Sequence, residues 1–294
     1  MPELPDVTVY VERLADRLAG KTLERVRLLN PFVLRSVDPP IASAEGKKVL
    51  RLRRIGKRIV FELEGALFVV LHLMIAGRLR WLAKDKKPPG RISLAVFEFP
   101  DANLLLTEAG TKRRASIHLV EGEAALAALD PGGLEVLETD LAQFAERLKR
   151  DNHTVKRALT DPHLFSGIGN AYSDEILHRA KLSPFAHTSA LSAEDVRRLF
   201  DATRTTLIEW TERLRRQAGA DLPAKVTAFH EEMAVHGRYR KPCPMCGSPV
   251  QRIVYAENET NYCARCQTGG KILADRALSR LLKASWPRSI DELE

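Results

Sequence analysis

Between residues 22 and 120 short apolar stretches rich in branched residues are separated by Gly, Pro or charged turns, and beyond residue 121 the pattern becomes helical. A period of two fits a strand with one buried face, and a period of 3.6 fits a helix with one buried stripe. Eight short strands are expected, over residues 22–29, 48–54, 57–63, 66–72, 78–82, 92–99, 103–107 and 115–120. With no helix between them, they predict a sandwich or barrel of antiparallel sheets.

Helices frame this region. Val7, Tyr10, Val11, Leu14 and Leu18 fall at helical spacing, with Asp6 as the expected N-cap and Gly20 as the stop. Asp130-Pro131-Gly132-Gly133 breaks the pattern and places a linker at 121–137. Residues 139–150, 154–160, 170–181 and 192–217 then read as helices. The fold class expected is α+β and multidomain. Residues 1–120 form a β-sandwich with an initial helix, 138–236 a helical domain, and 237–294 a terminal unit and tail.

The terminal unit holds all four cysteines, as Cys243-Pro244-Met245-Cys246 and Cys263-Ala264-Arg265-Cys266. Two such knuckles with a hairpin's length between them match a tetrahedral four-thiolate zinc site. All four positions are filled by protein, so one structural ion is expected, with no place left for substrate. Zinc here replaces a hydrophobic core that so small a unit cannot build. The same spacing argues for a reduced compartment and against disulfides.

A chain of 294 residues suits two ordinary domains, and 45% hydrophobic residues exclude a disordered tail. Forty-six Lys and Arg against 38 Asp and Glu leave a net charge of +8, and the pI is near 9.4. That balance favours a polyanionic partner, nucleic acid first. No apolar run is long enough to span a bilayer, and the first residues lack the pattern of a secretory signal.

The first six residues, Met1-Pro2-Glu3-Leu4-Pro5-Asp6, carry a specific chemistry. Removal of Met1 leaves Pro2 with a free secondary amine. A free α-amino group has a pKa of about 8, so part of it is unprotonated near neutrality and can attack a masked aldehyde. Glu3 stands beside it to give or take a proton. Lys57 shares a strand face with Ile59, Phe61 and Leu63 and sits at its rim. The apolar strand ending at His72-Leu73-Met74-Ile75-Ala76-Gly77 presents a bulky residue at a turn, a candidate wedge between stacked bases. Gly167 and Gly169 lead into a helix start at Asn170, where backbone N–H groups can meet a phosphate.

Taken in order, Pro2-Glu3-Leu4-Pro5, Lys57, His72-Leu73, residues 167–172, Glu175, His236-Gly237-Arg238, the four cysteines and Gln267 resemble the formamidopyrimidine-DNA glycosylase and endonuclease VIII family. The resemblance covers almost the whole chain. It implies a bifunctional DNA glycosylase and abasic-site lyase of base excision repair, with damaged double-stranded DNA lying between a β-sandwich and a helix–two-turns–helix domain that ends in a zinc finger. Two alternatives from other classes are a non-catalytic damaged-DNA-binding protein and a lyase with little base-excising power. The resemblance further implies a monomer in the bacterial cytoplasm, associated with the nucleoid and with no membrane.

Residue by residue, it implies that the catalytic residues are Pro2 as the Schiff-base nucleophile, Glu3 as the proton shuttle, and Lys57, which holds a phosphate beside the lesion and assists elimination. Asn170 and the backbone of 167–169, Gly169 included, would grip phosphates, with Lys156 as a further candidate. His72 would lie at the DNA, Met74 or Ile75 would wedge, Arg113 and Arg114 would contact DNA, and Glu175 would support the site. The pocket for the extruded base would involve residues 219–227. The chain departs from the family pattern where Arg-Arg-Phe-Gly becomes Arg113-Arg114-Ala115-Ser116, which removes an aromatic wedge. Asp6 replaces a glutamate. Asn258 stands where an arginine is usual, and a neutral amide cannot make a charge-assisted bidentate phosphate contact.

Overall fold

Alternation through the first third of the chain resolves into nine strands rather than eight. The structure is a computed structural model that describes residues 1–110, 112–223, 230–255, 258–275, 279–281, 283 and 286–292. The expected first strand is two: β1, Thr22–Leu23, and β2, Arg25–Leu28. The others are β3 Lys47–Ile55, β4 Arg58–Leu63, β5 Leu67–His72, β6 Gly77–Leu82, β7 Ser93–Glu98, β8 Asn103–Glu108 and β9 Ser116–Glu121. β1 joins a five-stranded sheet of order β1-β3-β4-β5-β9, whereas β2 joins a four-stranded sheet of order β2-β7-β8-β6. The chain changes sheet at Glu24, whose N–H donates to the Glu98 carbonyl at 2.8 Å. Every strand pairing is antiparallel.

The sandwich core lies between the sheets. Ile59, Phe61 and Leu63 of β4 face Phe97 of β7 and Leu104 and Leu106 of β8, and the Phe61 and Phe97 rings stack with centroids 6.2 Å apart. Helix α1, Leu4–Leu18, adds Val7, Tyr10, Leu14 and Leu18 to the same core. Each such side chain contributes roughly 1.5–3 kcal/mol by leaving water, so α1 is held firmly.

Helix α1 begins three residues earlier than the Asp6 cap expected from the pattern. Glu3 is the N-cap, and its N–H donates to Asp6 Oδ2 at 2.9 Å. Pro5 fits in the first turn because that turn needs no donor from it. The short helix α2, Glu123–Ala127, lies within the stretch expected as linker and packs Leu126 on the outer face of the five-stranded sheet. The division between the two compact units falls after Pro131. One unit is Met1–Pro131 with Trp210–Val226, and the other is Gly132–Glu209 with Thr227–Glu294.

The second unit contains α3 Leu141–Lys149, α4 Val155–Thr160, α5 Asn170–Arg179 and most of α6, Ala193–Ala218. Asp140 caps α3 by accepting from the Gln143 N–H at 2.9 Å. Phe144 packs against Phe165 and Phe200 at centroid distances of 4.8 and 5.3 Å. The terminal hairpin is β10 Gln251–Tyr255 with β11 Asn258–Tyr262, followed by α7, Ala264–Thr268. The architecture is the expected one: a sandwich with an initial helix, a helical domain and a small terminal hairpin.

Candidate active site

Pro2 and Glu3 are both buried, immediately before α1. Burial lowers the pKa of the Met1 ammonium; the Glu3 and Asp6 carboxylates oppose the shift, and Arg78 and Lys57 add to it. Lys57 occupies the two-residue turn Gly56-Lys57 between β3 and β4, where Gly56 has a φ of +57°. Burial lowers the Lys57 pKa as well, against the pull of Glu3. The fold therefore brings Lys57, distant in sequence, into one electrostatic neighbourhood with the amino terminus and Glu3. An amine held there loses its proton more readily than one in water.

His72 ends β5, and the turn after it closes with Gly77 N–H on the Leu73 carbonyl at 2.9 Å. A Cβ on Gly77 would lie 2.2 Å from that carbonyl oxygen, so only glycine fits. Met74 sits in the turn at φ +51°, partly buried, while Ile75 is 54% exposed. Of the two wedge candidates, Ile75 is the one that projects. Arg78 ties the turn down through the carbonyls of Ile75 and Gly77.

Burial, with Arg58, Lys57 and His118 nearby, pushes the His72 pKa down to about 4. Burial and Arg58 lower His118 in the same direction. An unfolded histidine titrates near 6.5. Between about 6.5 and 4 the unfolded chain binds the proton and the folded chain does not, so stability falls as pH drops through that window. The thermal midpoint is expected to fall between pH 7 and pH 5, and less steeply in His72→Asn. A midpoint that rises on acidification, or an identical slope in the variant, contradicts this.

Arg113 and Arg114 are exposed on the loop between β8 and β9. The buried Glu108 carboxylate pins that loop, accepting from the Arg114 N–H at 3.0 Å and the Ala115 N–H at 3.1 Å. Ala115 itself is 3% exposed within the sandwich core. Position 115 therefore points inward, and the expected missing wedge is not a vacancy at the surface. Of residues 219–227, Leu222 is buried and the Pro223 carbonyl accepts from the Tyr10 hydroxyl at 3.1 Å. Residues 224–227 lie outside the described residues.

In the second unit, Gly169 is the N-cap of α5 and Asn170 its first residue, partly exposed. Lys156, an expected phosphate contact, is turned inward, and so is Glu175, expected to support the site. The Lys156 ammonium is buried against Asp174 Oδ1 at 2.5 Å and the Glu259 carbonyl at 3.1 Å. The Glu175 carboxylate accepts from the N–H groups of Ala234, Val235 and His236 at 2.7, 2.9 and 2.9 Å. Neither charge is offered outward, because each is used in closing the unit. Sequence reading overlooked Asp174, which also meets His236 Nδ1 at 2.8 Å and the Asn261 N–H at 3.1 Å. Its one signal was a second acid beside Glu175 on a helix buried nearly all round. Asn258 is exposed at the start of β11, in register with Tyr255.

The thiol sulfurs of Cys243, Cys246, Cys263 and Cys266 lie within 4.8 Å of one another. A tetrahedral zinc with bonds of about 2.3 Å fits that spacing. His178 of α5 places Nε2 3.2 Å from the Cys243 sulfur. The four residues make a site for one structural zinc.

Family models match three stretches in chain order. They are the Formamidopyrimidine-DNA glycosylase N-terminal domain over residues 1–115, the Formamidopyrimidine-DNA glycosylase H2TH domain over 132–217, and the zinc finger found in FPG and IleRS over 240–269. The formamidopyrimidine-DNA glycosylase of Heliobacterium modesticaldum is 32% identical over 277 residues, covering 91% of this chain and 100% of its own. That of Thermus thermophilus is 34% identical over 284 residues, covering 92% and 100%. The crystal structure of the Thermus thermophilus MutM (FPG) protein matches with a TM-score of 0.75 at 31% identity, covering 90% of this chain and 98% of that one. The Lactococcus lactis Fpg, in complex with DNA containing an abasic site, shares the fold with a TM-score of 0.79 at 24% identity, covering 90% and 99%.

Proposed function

Because this chain belongs to the formamidopyrimidine-DNA glycosylase family, we propose that it removes a damaged base from double-stranded DNA through a covalent imine on Pro2 and then nicks the strand by elimination. Its class is that of DNA N-glycosylases with abasic-site lyase activity, which work in base excision repair. The observation that carries the mechanism is the gathering of the amino terminus, Glu3 and Lys57 in one buried neighbourhood.

After loss of Met1, the Pro2 nitrogen attacks C1′ of the nucleotide. The bond from C1′ to the base breaks, and the base leaves with its bonding electrons and a proton. Glu3 protonates the ring oxygen as the sugar opens, leaving an iminium between Pro2 and C1′. The iminium acidifies the C2′ protons; loss of one expels the 3′ phosphate, and the strand is cut. Burial of Pro2 ahead of α1 serves this chemistry by holding the nucleophile still. Lys57 and His72 then hold phosphates beside the lesion, Asn170 and the Gly169 backbone hold others, and Ile75 fills the space of the extruded base. Arg113 and Arg114 add cationic contacts. Extrusion costs a few kcal/mol, least where the base is already damaged. The same reading makes the protein a monomer at the bacterial nucleoid. No helix among the described residues is long and apolar enough to cross a membrane.

Borohydride reduction in the presence of abasic-site duplex tests the mechanism. Wild-type protein lacking Met1 is expected to form a covalent adduct, and Pro2→Gly or a chain with a blocked amino terminus to form little or none. Equal trapping by the blocked protein would remove Pro2 from the mechanism.

A further inference from the structure

The outer face of the five-stranded sheet carries charge that is balanced at one end and unbalanced at the other. Its middle is apolar, with Val60, Phe68 and Val70 beneath Leu126. At one end Arg51 pairs with Glu62 at 2.6 Å and Arg53 with Glu123 at 2.8 Å. At the other end β4 begins with Arg58, directly opposite His72 on β5. His72 in turn lies opposite Ser116 on β9, so His118 is its diagonal neighbour on the same face, about 7–8 Å away.

These three side chains hold buried nitrogens that find no hydrogen-bond partner among the described residues: Nε of Arg58, Nε2 of His72 and Nδ1 of His118. Three such atoms side by side are unusual, since buried polar groups are nearly always paired, and an unpaired one points to a missing ligand. Charge narrows what the ligand is. Arg58 opposes protonation of both histidines, Lys57 adds to the field at His72 and Arg35 to that at His118. Asp130 is the acid that acts on Arg58. A water molecule would satisfy the hydrogen bonds and leave the field; an anion answers both. Unpaired nitrogens from three neighbouring strands on one face suit a ligand with several acceptor oxygens, which a phosphate offers.

We propose that Arg58, His72 and His118 form one anion site, which takes a phosphate of the DNA backbone. Arg58 and His118 thereby extend the DNA-binding surface beyond Lys57 and His72. The identity of the ligand rests on the DNA-repair reading; the site itself does not.

The test uses the full-length, zinc-loaded protein. Imidazole nitrogen resonances are followed while inorganic phosphate, and separately an undamaged duplex, are added. The His72 and His118 ring nitrogens are expected to shift with both. In parallel, Arg58→Gln, which removes the cation of the site, is expected to flatten the dependence of log affinity for duplex on log salt by about 0.9, the loss of one phosphate contact, whereas His118→Gln exchanges one neutral side chain for another and is expected to weaken duplex binding without changing the slope. A response to inorganic phosphate without one to duplex means an adventitious ion only and overturns the proposal. So does silence of His118 on duplex addition, or an unchanged salt slope in an Arg58→Gln protein that keeps the wild-type melting curve. If the variants melt, the wild-type resonances decide alone. Trapping on abasic-site DNA is scored separately. Trapping without a histidine response sinks the anion site and spares the lyase reading, and the reverse result does the opposite.

Discussion

Chelation of zinc, or Cys263→Ser, is expected to unfold the terminal hairpin and loosen the helices it touches. The cluster at its centre is Val235, Cys243, Val250 and Cys263 with Cys266 against it, so most of its members are ligands themselves. Structural zinc contributes about 10–16 kcal/mol of apparent binding energy in units of this size, and that energy is folding energy. The effect does not stop at the hairpin. Asn261 of β11 donates to Asp174, the Glu259 carbonyl accepts from Lys156, and Cys243 touches His178. Without the hairpin, the Lys156 and Asp174 charges lose part of the shell that makes their burial tolerable. One zinc per chain by elemental analysis, a large fall in thermal midpoint in Cys263→Ser, and faster amide exchange along α5 are the expected results. Unchanged exchange in α5 after full metal loss would show that the helices stand without the hairpin.

Glu175→Ala should be the most damaging single replacement away from the metal. The carboxylate is buried, and burial raises its pKa while its three N–H donors hold it down. Those donors, on Ala234, Val235 and His236, belong to consecutive residues that reach no regular element. Alanine leaves all three donors without an acceptor. A buried donor left unsatisfied costs roughly 1–3 kcal/mol, so a loss of about 3 kcal/mol or more is expected in urea unfolding. Glu175→Gln, which keeps an acceptor oxygen but adds a competing donor, should lose less. A loss under about 1 kcal/mol in Glu175→Ala would mean that water replaces the carboxylate, and that residues 234–236 are held by something else.

The inward turn of Glu175 shows where reading the sequence ran out. A glutamate on a helix is as consistent with reaching a ligand as with capping a loop sixty residues later. Lys156 was equally ambiguous, because nothing near it in the chain announces Asp174 or the carbonyl of Glu259. His118 drew no attention at all. It sits in an alternating strand, and its place beside His72 exists only once β5 and β9 pair. The break in the first strand has the same origin. Alternation slips at Glu24-Arg25, but whether each piece joins one sheet or the other depends on Lys48 and Glu98, its distant partners.

What the sequence determined by itself was everything encoded over a few neighbouring positions. The cysteine spacing specified a zinc site, alternation specified strands, the 3.6-residue period specified helices, and Pro2-Glu3 specified an amine beside an acid. The ordered motifs then identified the family. Tertiary structure alone decided which charges face outward. It buried Lys156 and Glu175, exposed Ile75 rather than Met74, turned Ala115 into the core, and left one buried nitrogen on each of Arg58, His72 and His118 without a hydrogen-bond partner among the described residues. The physical reason is range. Backbone geometry and metal ligation act between near neighbours, whereas burial and electrostatic balance depend on groups that only the folded chain brings together.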